Sequence, residues 1–188
     1  MVISVDTGNK HMKTENCEFN SGIEILDTLP GELEEVIEYE GKYYMTTNRR
    51  ISSMEDKTGD DRYFILQLFA IAKELSYREK NEGLLPQNLQ EIELLVGLPP
   101  AHYGKHRKKF REYFYRNGAV AEFCYKGISY RIVFKEVKVY IQAYAAYCLL
   151  AVKKQLSVIP KILLIDIGGF TVDYMVLRFG QLEMEYVD

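Results

Sequence analysis

The amino-acid sequence predicts an α/β fold, because the same strand and turn occur near both ends of the chain. The run V-I-S-V-D-T-G places an apolar strand before Asp6 and Gly8, and the run L-L-I-D-I-G-G places another before Asp166 and Gly168. Between them, stretches with helical periodicity alternate with apolar strand-like runs. This internal similarity suggests two structural repeats, each presenting a glycine-rich turn.

Composition excludes several classes of protein. The chain has 188 residues, of which 47% are hydrophobic and 27% charged, enough for one sizeable core. A net charge of -3 argues against a general binder of nucleic acid or anionic membranes. The three cysteines form no C-x-x-C pair, and no apolar run approaches the roughly 20 residues of a membrane span. We therefore expect a cytoplasmic protein that contacts neither membrane nor nucleic acid directly.

The first third of the chain predicts strands. The strand Met1 to Asp6 ends in a turn at Gly8, and Ile23 to Leu26 predicts a further strand. Val36 to Thr47 predicts a hairpin that turns at Glu40-Gly41. Asn48 to Gly59 is polar and irregular, which is typical of a loop.

Two helices and a buried strand follow. Asp60 or Asp61 is expected to cap a helix that runs to about Lys80. Its predicted core stripe consists of Phe64, Leu68, Ile71, Ala72 and Leu75. The apolar run Ile92 to Leu98 predicts a buried strand, and Pro99 and Pro100 lead into a helix from about Ala101 to Asn117, closed by Gly118.

The second predicted helix carries a strongly basic side. A nucleic-acid patch is one interpretation, but a solvated or partner-facing surface is favoured because the chain as a whole is acidic. The basic residues are Lys105, Arg107, Lys108, Lys109, Arg111 and Arg116. His102 and His106 are spaced to share a metal ion, but no third ligand accompanies them, so we interpret them as surface residues.

The last third of the chain predicts another hairpin and a helix. Val120 to Tyr125 and Ser129 to Tyr140 flank a Lys126-Gly127 turn, and an alanine-rich helix is expected from about Gln142 to Leu156. Ile162 to Leu177 then predicts two buried strands joined by a tight turn, and Gly180 leads into a strand from Leu182 to Val187.

The turn after Asp166 could bind an anion. Gly168 and Gly169 can adopt positive φ and present backbone N–H groups to a phosphate. Asp166 would face the same point, and a carboxylate beside a phosphate usually implies Mg²⁺ between them. Taken alone, Asp-x-Gly-Gly is more typical of an ordinary hairpin turn.

The coarse order of elements is strand, strand, strand, helix, strand, helix, strand, helix, followed by the first strands of a second round. With Asp6-x-Gly8, Gln142 before the last helix and the run D-I-G-G-F-T from Asp166, this order resembles the actin-like ATPase superfamily. The G-L-P-P element and the run E-V-K-V-Y-I-Q-A are similar to the plasmid-partitioning, ParM/StbA-like branch. The resemblance implies the actin-like, ribonuclease H-like fold with a mixed sheet, ATP and Mg²⁺.

The resemblance also implies roles for individual residues. Asp6 and Asp166 match the catalytic acids that organise Mg²⁺, Gln142 matches the residue that positions the attacking water, and Lys13 matches the lysine that reaches the phosphates. Such parts suit phosphoanhydride hydrolysis, which needs charge neutralisation and an oriented water. The remaining expected nucleotide contacts are Thr7, Gly8, Asn9, Lys10, Gly168, Gly169, Phe170 and Thr171.

Proteins of this superfamily contain two repeats, and here the second repeat begins near Lys161. We expect residues 1–158 to form the first domain and residues 159–188 the opening strands of a second. The chain then corresponds to the N-terminal portion of a longer protein. In isolation we expect no useful ATP hydrolysis, and we expect self-association through the uncovered strands from Ile162 to Val187.

The resemblance leads to one principal hypothesis and two alternatives. The principal hypothesis is an ATPase that polymerises into filaments and segregates plasmid or other DNA, with a DNA-binding adaptor protein as its partner. The alternatives are a non-catalytic scaffold protein of the same fold, and a kinase of the sugar or acetate type. Nucleotide binding distinguishes the ATPase from the scaffold protein, and filament formation distinguishes it from the kinase.

Overall fold

A computed structural model describes residues 1–31, 35–49, 56–154, 156–168 and 171–187 of the chain. Within these ranges the strands form two sheets, one of nine strands and one of three. The order in the larger sheet is β3-β2-β1-β7-β9-β8-β5-β6-β4. Its strands are β1 (Val2–Thr7), β2 (His11–Lys13), β3 (Glu18–Asn20), β4 (Gly22–Leu26), β5 (Val36–Tyr39), β6 (Lys42–Thr47), β7 (Gln90–Leu98), β8 (Val120–Tyr125) and β9 (Ile128–Ile141).

The large sheet is mixed. Its central strands β1, β7 and β9 run parallel, whereas every other pairing within it is antiparallel. The mixed α/β fold expected from the sequence is therefore confirmed. Because parallel strands end at the same edge of a sheet, the carboxyl ends of β1, β7 and β9 bring Asp6, Pro99 and Gln142 together.

Helix α1 (Arg62–Asn81) fills the core more completely than one apolar stripe would. The predicted stripe is buried, but so is every residue from Tyr63 to Ala72. The helix packs on β1 and β2, and its ring contacts reach Phe19 and Tyr125 on the sheet and Tyr113 on the next helix. Asp61 occupies the N-cap position without a side-chain hydrogen bond to the helix, and an Asp60 carboxylate oxygen accepts the Arg62 N–H at 3.0 Å.

Helix α2 (Pro100–Tyr115) begins immediately after β7 and contacts β9. Phe110 and Phe114 are buried, as their common helical face predicts. The helix ends two residues before the expected Asn117, because Arg116 and Asn117 adopt left-handed backbone conformations with φ of 49° and 55°. A short 3₁₀ turn (Arg116–Gly118) then leads into β8.

A sharp change of direction separates β9 from α3 (Tyr144–Lys154). Ala143 has a φ of 59°, so Gln142 belongs to the end of the strand rather than to the first turn of the helix. The helix consequently begins two residues later than the sequence predicts. A 3₁₀ turn (Leu156–Val158) follows it.

The smaller sheet consists of β10 (Lys161–Ile167), β11 (Val172–Arg178) and β12 (Gln181–Val187). The three strands predicted here are present, but the expectation that the first two are buried is wrong. Residues of β10 alternate between partly covered and exposed positions, and Leu163, Ile165 and Ile167 are 57%, 59% and 79% exposed. Helix α2 contacts β11, whose Met175 and Leu177 are buried, and so covers one face of this sheet.

Candidate functional site

The two glycine-rich turns line one cavity of about 280 Å³. The first turn joins β1 to β2, and the second joins β10 to β11. Pro99 at the start of α2 and Gln142 at the end of β9 complete the wall. The other lining residues are Asp6, Gly8, Asn9, Lys10, His11, Lys13, Lys57, Asp166, Ile167, Gly168, Thr171 and Asp173.

The first turn is tight because position 8 is a glycine. A β-carbon at Gly8 would lie 2.4 Å from the His11 carbonyl oxygen. The Gly8 carbonyl accepts a hydrogen bond from the Ser21 hydroxyl at 2.6 Å, which ties the turn to the segment after β3. The pairing of β1 with β2 places Asp6 opposite Lys13, so an acid and a base stand on either side of the turn.

Gln142 contacts the first turn directly. Its side-chain amide Nε2 donates a hydrogen bond to an Asp6 carboxylate oxygen at 2.7 Å. Its backbone N–H donates to the Leu98 carbonyl at 2.9 Å, which fixes the residue at the end of β9. The side chain passes close to Gly97, where a β-carbon would lie 2.7 Å from the Gln142 Cγ. Gly97 therefore provides the space that lets Gln142 reach Asp6.

The second turn differs from the sequence expectation at Gly168. This glycine is not among the described residues with positive φ, and its N–H is not free for an anion. Instead that N–H donates to the Thr171 carbonyl at 2.9 Å and closes the turn, so a β-carbon at Gly168 would lie 3.1 Å from the same oxygen. Gly169 and Phe170 lie outside the described residues.

Two aspartates face each other across the second turn. The pairing of β10 with β11 places Asp166 opposite Asp173, and the Thr171 hydroxyl donates to an Asp173 carboxylate oxygen at 3.2 Å. Asp166 was predicted from the sequence, whereas Asp173 was not. A hairpin centred on residues 168–171 would have predicted this second acid at the same register.

The first turn makes two further contacts with the core. Thr7 is fully buried, and its hydroxyl donates to the Gly97 carbonyl at 3.1 Å, so its side chain does not line the cavity. Asn9 lines the cavity and accepts a hydrogen bond from the Tyr63 hydroxyl at 2.8 Å. Of the contacts expected in this turn, Asn9 and Lys10 line the cavity, whereas Thr7 does not.

Lys57 is a second site residue that was not predicted from the sequence. This lysine is 6% exposed, lines the cavity, and donates from Nζ to the Thr7 carbonyl. Burial lowers the pKa of Lys57 to about 8, although Asp6 and Asp173 act in the opposite direction. A single lysine in a polar loop has no periodicity or motif that would have identified it.

The acids of the cavity influence one another's ionisation. Desolvation raises the pKa of Asp6, and Asp166 contributes to the rise, while Lys57, Gln142 and Lys13 oppose it. Desolvation and Asp166 likewise raise the pKa of Asp173. Three carboxylates around one small cavity therefore favour a cation or a proton between them.

The arrangement fits Mg²⁺ carried by a phosphate better than a permanent metal centre. Among the described residues no three histidine, cysteine or acidic side chains converge closely enough to hold a metal by themselves. Mg²⁺ usually keeps several waters and is bound by one or two carboxylates together with substrate phosphates. Asp6 and Asp166 provide such carboxylates, and the cationic side chains of Lys13 and Lys57 complement phosphate charge.

A larger cavity of about 700 Å³ adjoins the first one. Asp6, Lys13, Gln142 and Asp166 line both, so they form the boundary between the two. Beyond that boundary the larger cavity is lined by Tyr140 and by parts of β1, β7 and the start of α3. Lys57 lines the smaller cavity but not the larger one.

The basic side of α2 lies outside both cavities. Lys109 pairs with Asp56 at 2.5 Å, and Arg116 pairs with Asp61. The rings of His102 and His106 lie 5.7 Å apart at their centroids. In the described part of the chain, no helix has both the length and the apolar character needed to cross a membrane.

Comparison with solved structures identifies the same fold at low sequence identity. The AMPPNP-bound AlfA filament is 17% identical, with a TM-score of 0.70, over 100% of this chain and 69% of that one. The apo pSK41 ParM protein is 16% identical, with a TM-score of 0.73, over 100% and 64%. The ADP complex of the archaeal actin homologue Ta0583 is 14% identical, with a TM-score of 0.76, over 100% and 59%. The chain thus spans about two thirds or less of the length of these proteins.

The sequence comparison places the chain in a family. No curated protein sequence matches it. The family model of the N-terminal domain of actin-like proteins matches residues 4–144, well over half of the chain, and this range contains both Asp6 and Gln142. The chain therefore belongs to the family of actin-like proteins, as the order of its turns and strands predicts.

Proposed function

We propose that the chain binds the phosphates of ATP together with Mg²⁺ in the cavity between its two turns. The observation that carries the proposal is the 2.7 Å hydrogen bond from Gln142 to Asp6, in a cavity that Asp166 also lines. It joins the residue expected to orient water with an acid expected to organise Mg²⁺. Two of the similar solved structures contain AMPPNP or ADP, which supports a nucleotide as the ligand.

The two cavities suggest how the nucleotide lies. The smaller one is lined by both turns, three acids and three lysines, which suits phosphates and Mg²⁺. Gln142 lies at their boundary, where its remaining amide oxygen can orient a water.

A second part of the proposal concerns a complete actin-like protein that contains this domain. We infer that residues 1–158 form one actin-like domain and that residues 159–188 begin a second. The complete protein would hydrolyse ATP and polymerise into filaments that move plasmid or other DNA through an adaptor. Filaments are the state described for AlfA and for the Clostridium botulinum ParM protein, which is 18% identical.

Titration with a fluorescent ATP analogue tests nucleotide binding. We expect saturable binding in Mg²⁺ that weakens roughly tenfold or more in a chelator or in Asp166→Asn, since a charged contact contributes about 1.5–3 kcal/mol. Asp27→Asn serves as the matched control, because Asp27 is exposed and does not line the cavity. Absence of binding, or equal binding by wild type and Asp166→Asn, would contradict the proposal and favour the scaffold alternative.

A further inference from the structure

Lys57 contributes a buried positive charge to the wall of the smaller cavity. The residue is 6% exposed, and its ammonium group donates to the Thr7 carbonyl and lies 5.1 Å from the centroid of the Tyr63 ring. These two contacts fix the charge at one place in the wall. At pH 7 the amine is mostly protonated, because burial lowers the pKa of Lys57 to about 8.

The other two lysines of this wall are not held in the same way. Lys10 is exposed, and Lys13 keeps half of its side chain in solvent, where it lies 3.9 Å from Glu18. Water and salt screen charges in such positions, whereas a charge removed from water acts more strongly on its neighbours. Lys57 is therefore the lysine of the cavity whose charge is least screened.

The acids of the same cavity interact with this charge. Asp6, Asp166 and Asp173 line the cavity together with Lys57. The positive charge of Lys57 opposes the rise in the pKa of both Asp6 and Asp173, as a counter-ion does. Lys57 thus already supplies part of the positive charge that three carboxylates favour.

This fixed charge affects the entry of a metal ion. A divalent cation that approaches the three acids is repelled by the ammonium group, and the low dielectric of a buried position strengthens that repulsion. A phosphate that enters with the cation brings negative charge that offsets it. On this basis, which depends on the proposed binding of phosphates with Mg²⁺, we propose that Lys57 excludes a free divalent cation from the nucleotide-free cavity, so that Mg²⁺ binds only together with a nucleotide.

Binding of Mn²⁺ to the nucleotide-free chain at pH 7, measured by electron paramagnetic resonance, tests this role. Wild type should bind Mn²⁺ with a Kd of roughly a millimolar or weaker. Lys57→Met should bind it at least about tenfold more tightly, because a repelling charge has been removed. If Lys57 only anchored its segment to Thr7 and Tyr63, its loss would loosen the cavity and produce no such gain.

Two controls accompany the substitution. Lys42→Met should bind Mn²⁺ as wild type does, because Lys42 is exposed on β6 and lines neither cavity. In the Lys57→Met background, Asp166→Asn should abolish the gain, whereas Asp27→Asn should preserve it, because Asp27 lies outside the cavity. If Lys57→Met does not fold, Lys57→Gln keeps a donor for the Thr7 carbonyl but removes the charge, and it should show the same gain.

The outcomes that overturn this role are distinct from failure of the proposed function. Tight Mn²⁺ binding by wild type, equal binding by wild type and Lys57→Met, or a gain that survives Asp166→Asn each overturns the role of Lys57. None of these measurements contains a nucleotide, so they leave nucleotide binding untouched. Failure of the wild-type chain to bind the fluorescent ATP analogue in Mg²⁺ overturns the proposed function instead.

Discussion

The candidate site depends on the glycine that opens the G-L-P-P element. Gly97 lies near the end of β7, and the Gln142 side chain crosses directly over it to reach Asp6. Any β-carbon there would lie within 2.7 Å of the Gln142 Cγ, well inside van der Waals contact. Since Gln142 is a movable side chain, the clash would displace it rather than disrupt the sheet.

Gly97→Ala should therefore separate Gln142 from Asp6 in a folded protein. We expect the side-chain amide resonances of Gln142, assigned by comparison with Gln142→Ala, to shift in a ¹⁵N-labelled sample, with a stability change below about 1 kcal/mol. Gly104→Ala is the control, because a β-carbon at Gly104 meets nothing within 4 Å. It should leave these resonances unchanged and stabilise α2 by about 0.5–1 kcal/mol. Unchanged Gln142 resonances in Gly97→Ala would contradict this account of Gly97.

At the scale of single residues, the sequence predicts those site residues that belong to a recognisable motif. Asp6, Gln142 and Asp166 occupy recognisable places beside turns or strand ends, and all three line one cavity. Lys57 was not predicted, because the burial of a lone lysine depends on tertiary structure, and Asp173 was overlooked although the hairpin register places it opposite Asp166. The free N–H expected at Gly168 was wrong, because the turn closes through that group.

Among the elements, the smaller sheet departs most from the sequence expectation. The run I-L-L-I in β10 is typical of a buried strand, yet alternate residues of this strand are exposed. A continuous apolar run indicates a strand whose two faces both suit burial, but it does not identify the element that would cover each face. The exposed face of β10 and β11 also includes Val172 and Tyr174, 59% and 42% exposed.

This exposed apolar face predicts self-association of the 188-residue chain. The double substitution Leu163→Thr with Ile165→Thr should lower the weight-average mass at high concentration, measured by sedimentation equilibrium, because it removes two large apolar side chains from the face. Val152→Thr is the control: Val152 is 84% exposed but lies on α3. A wild-type chain that stays monomeric, or a double variant that associates like wild type, would count against this prediction.

The helices and the large sheet were predicted more accurately, for a physical reason. The stripe of α1 and the faces of α2 follow from helical periodicity, and the hairpins turn at Glu40-Gly41 and Lys126-Gly127, where positive φ is required. The strand β3 was not predicted, because three residues give no periodic signal. The strand order could not be derived from local pattern, since it depends on long-range pairing.

For the molecule as a whole, the buried charge of Lys57 predicts a pH dependence of stability. The folded state holds the pKa of Lys57 near 8, below its ordinary value of 10.5, because of burial. Between these values the unfolded chain binds more protons than the folded one, so stability rises with pH in this window. The rise is up to about 3 kcal/mol, since one pKa unit corresponds to about 1.4 kcal/mol.

Comparison of wild type with Lys57→Met in denaturant unfolding at pH 7 and pH 9.5 isolates this contribution. The difference in unfolding free energy should shift in favour of wild type as pH rises. Burial raises the pKa of Tyr39 and Tyr63 to about 12, and both variants share that effect. A difference that does not change with pH would mean that Lys57 is not desolvated.

The central claim is that the cavity between the two turns holds the phosphates of a nucleotide. A crystal structure of the chain grown with Mg²⁺ and AMPPNP measures this directly. The account predicts density for the phosphate chain between the Gly8 and Gly168 turns. Density for the nucleotide at another place on the chain, or a clear map of this cavity without it at saturating concentration, would contradict the claim.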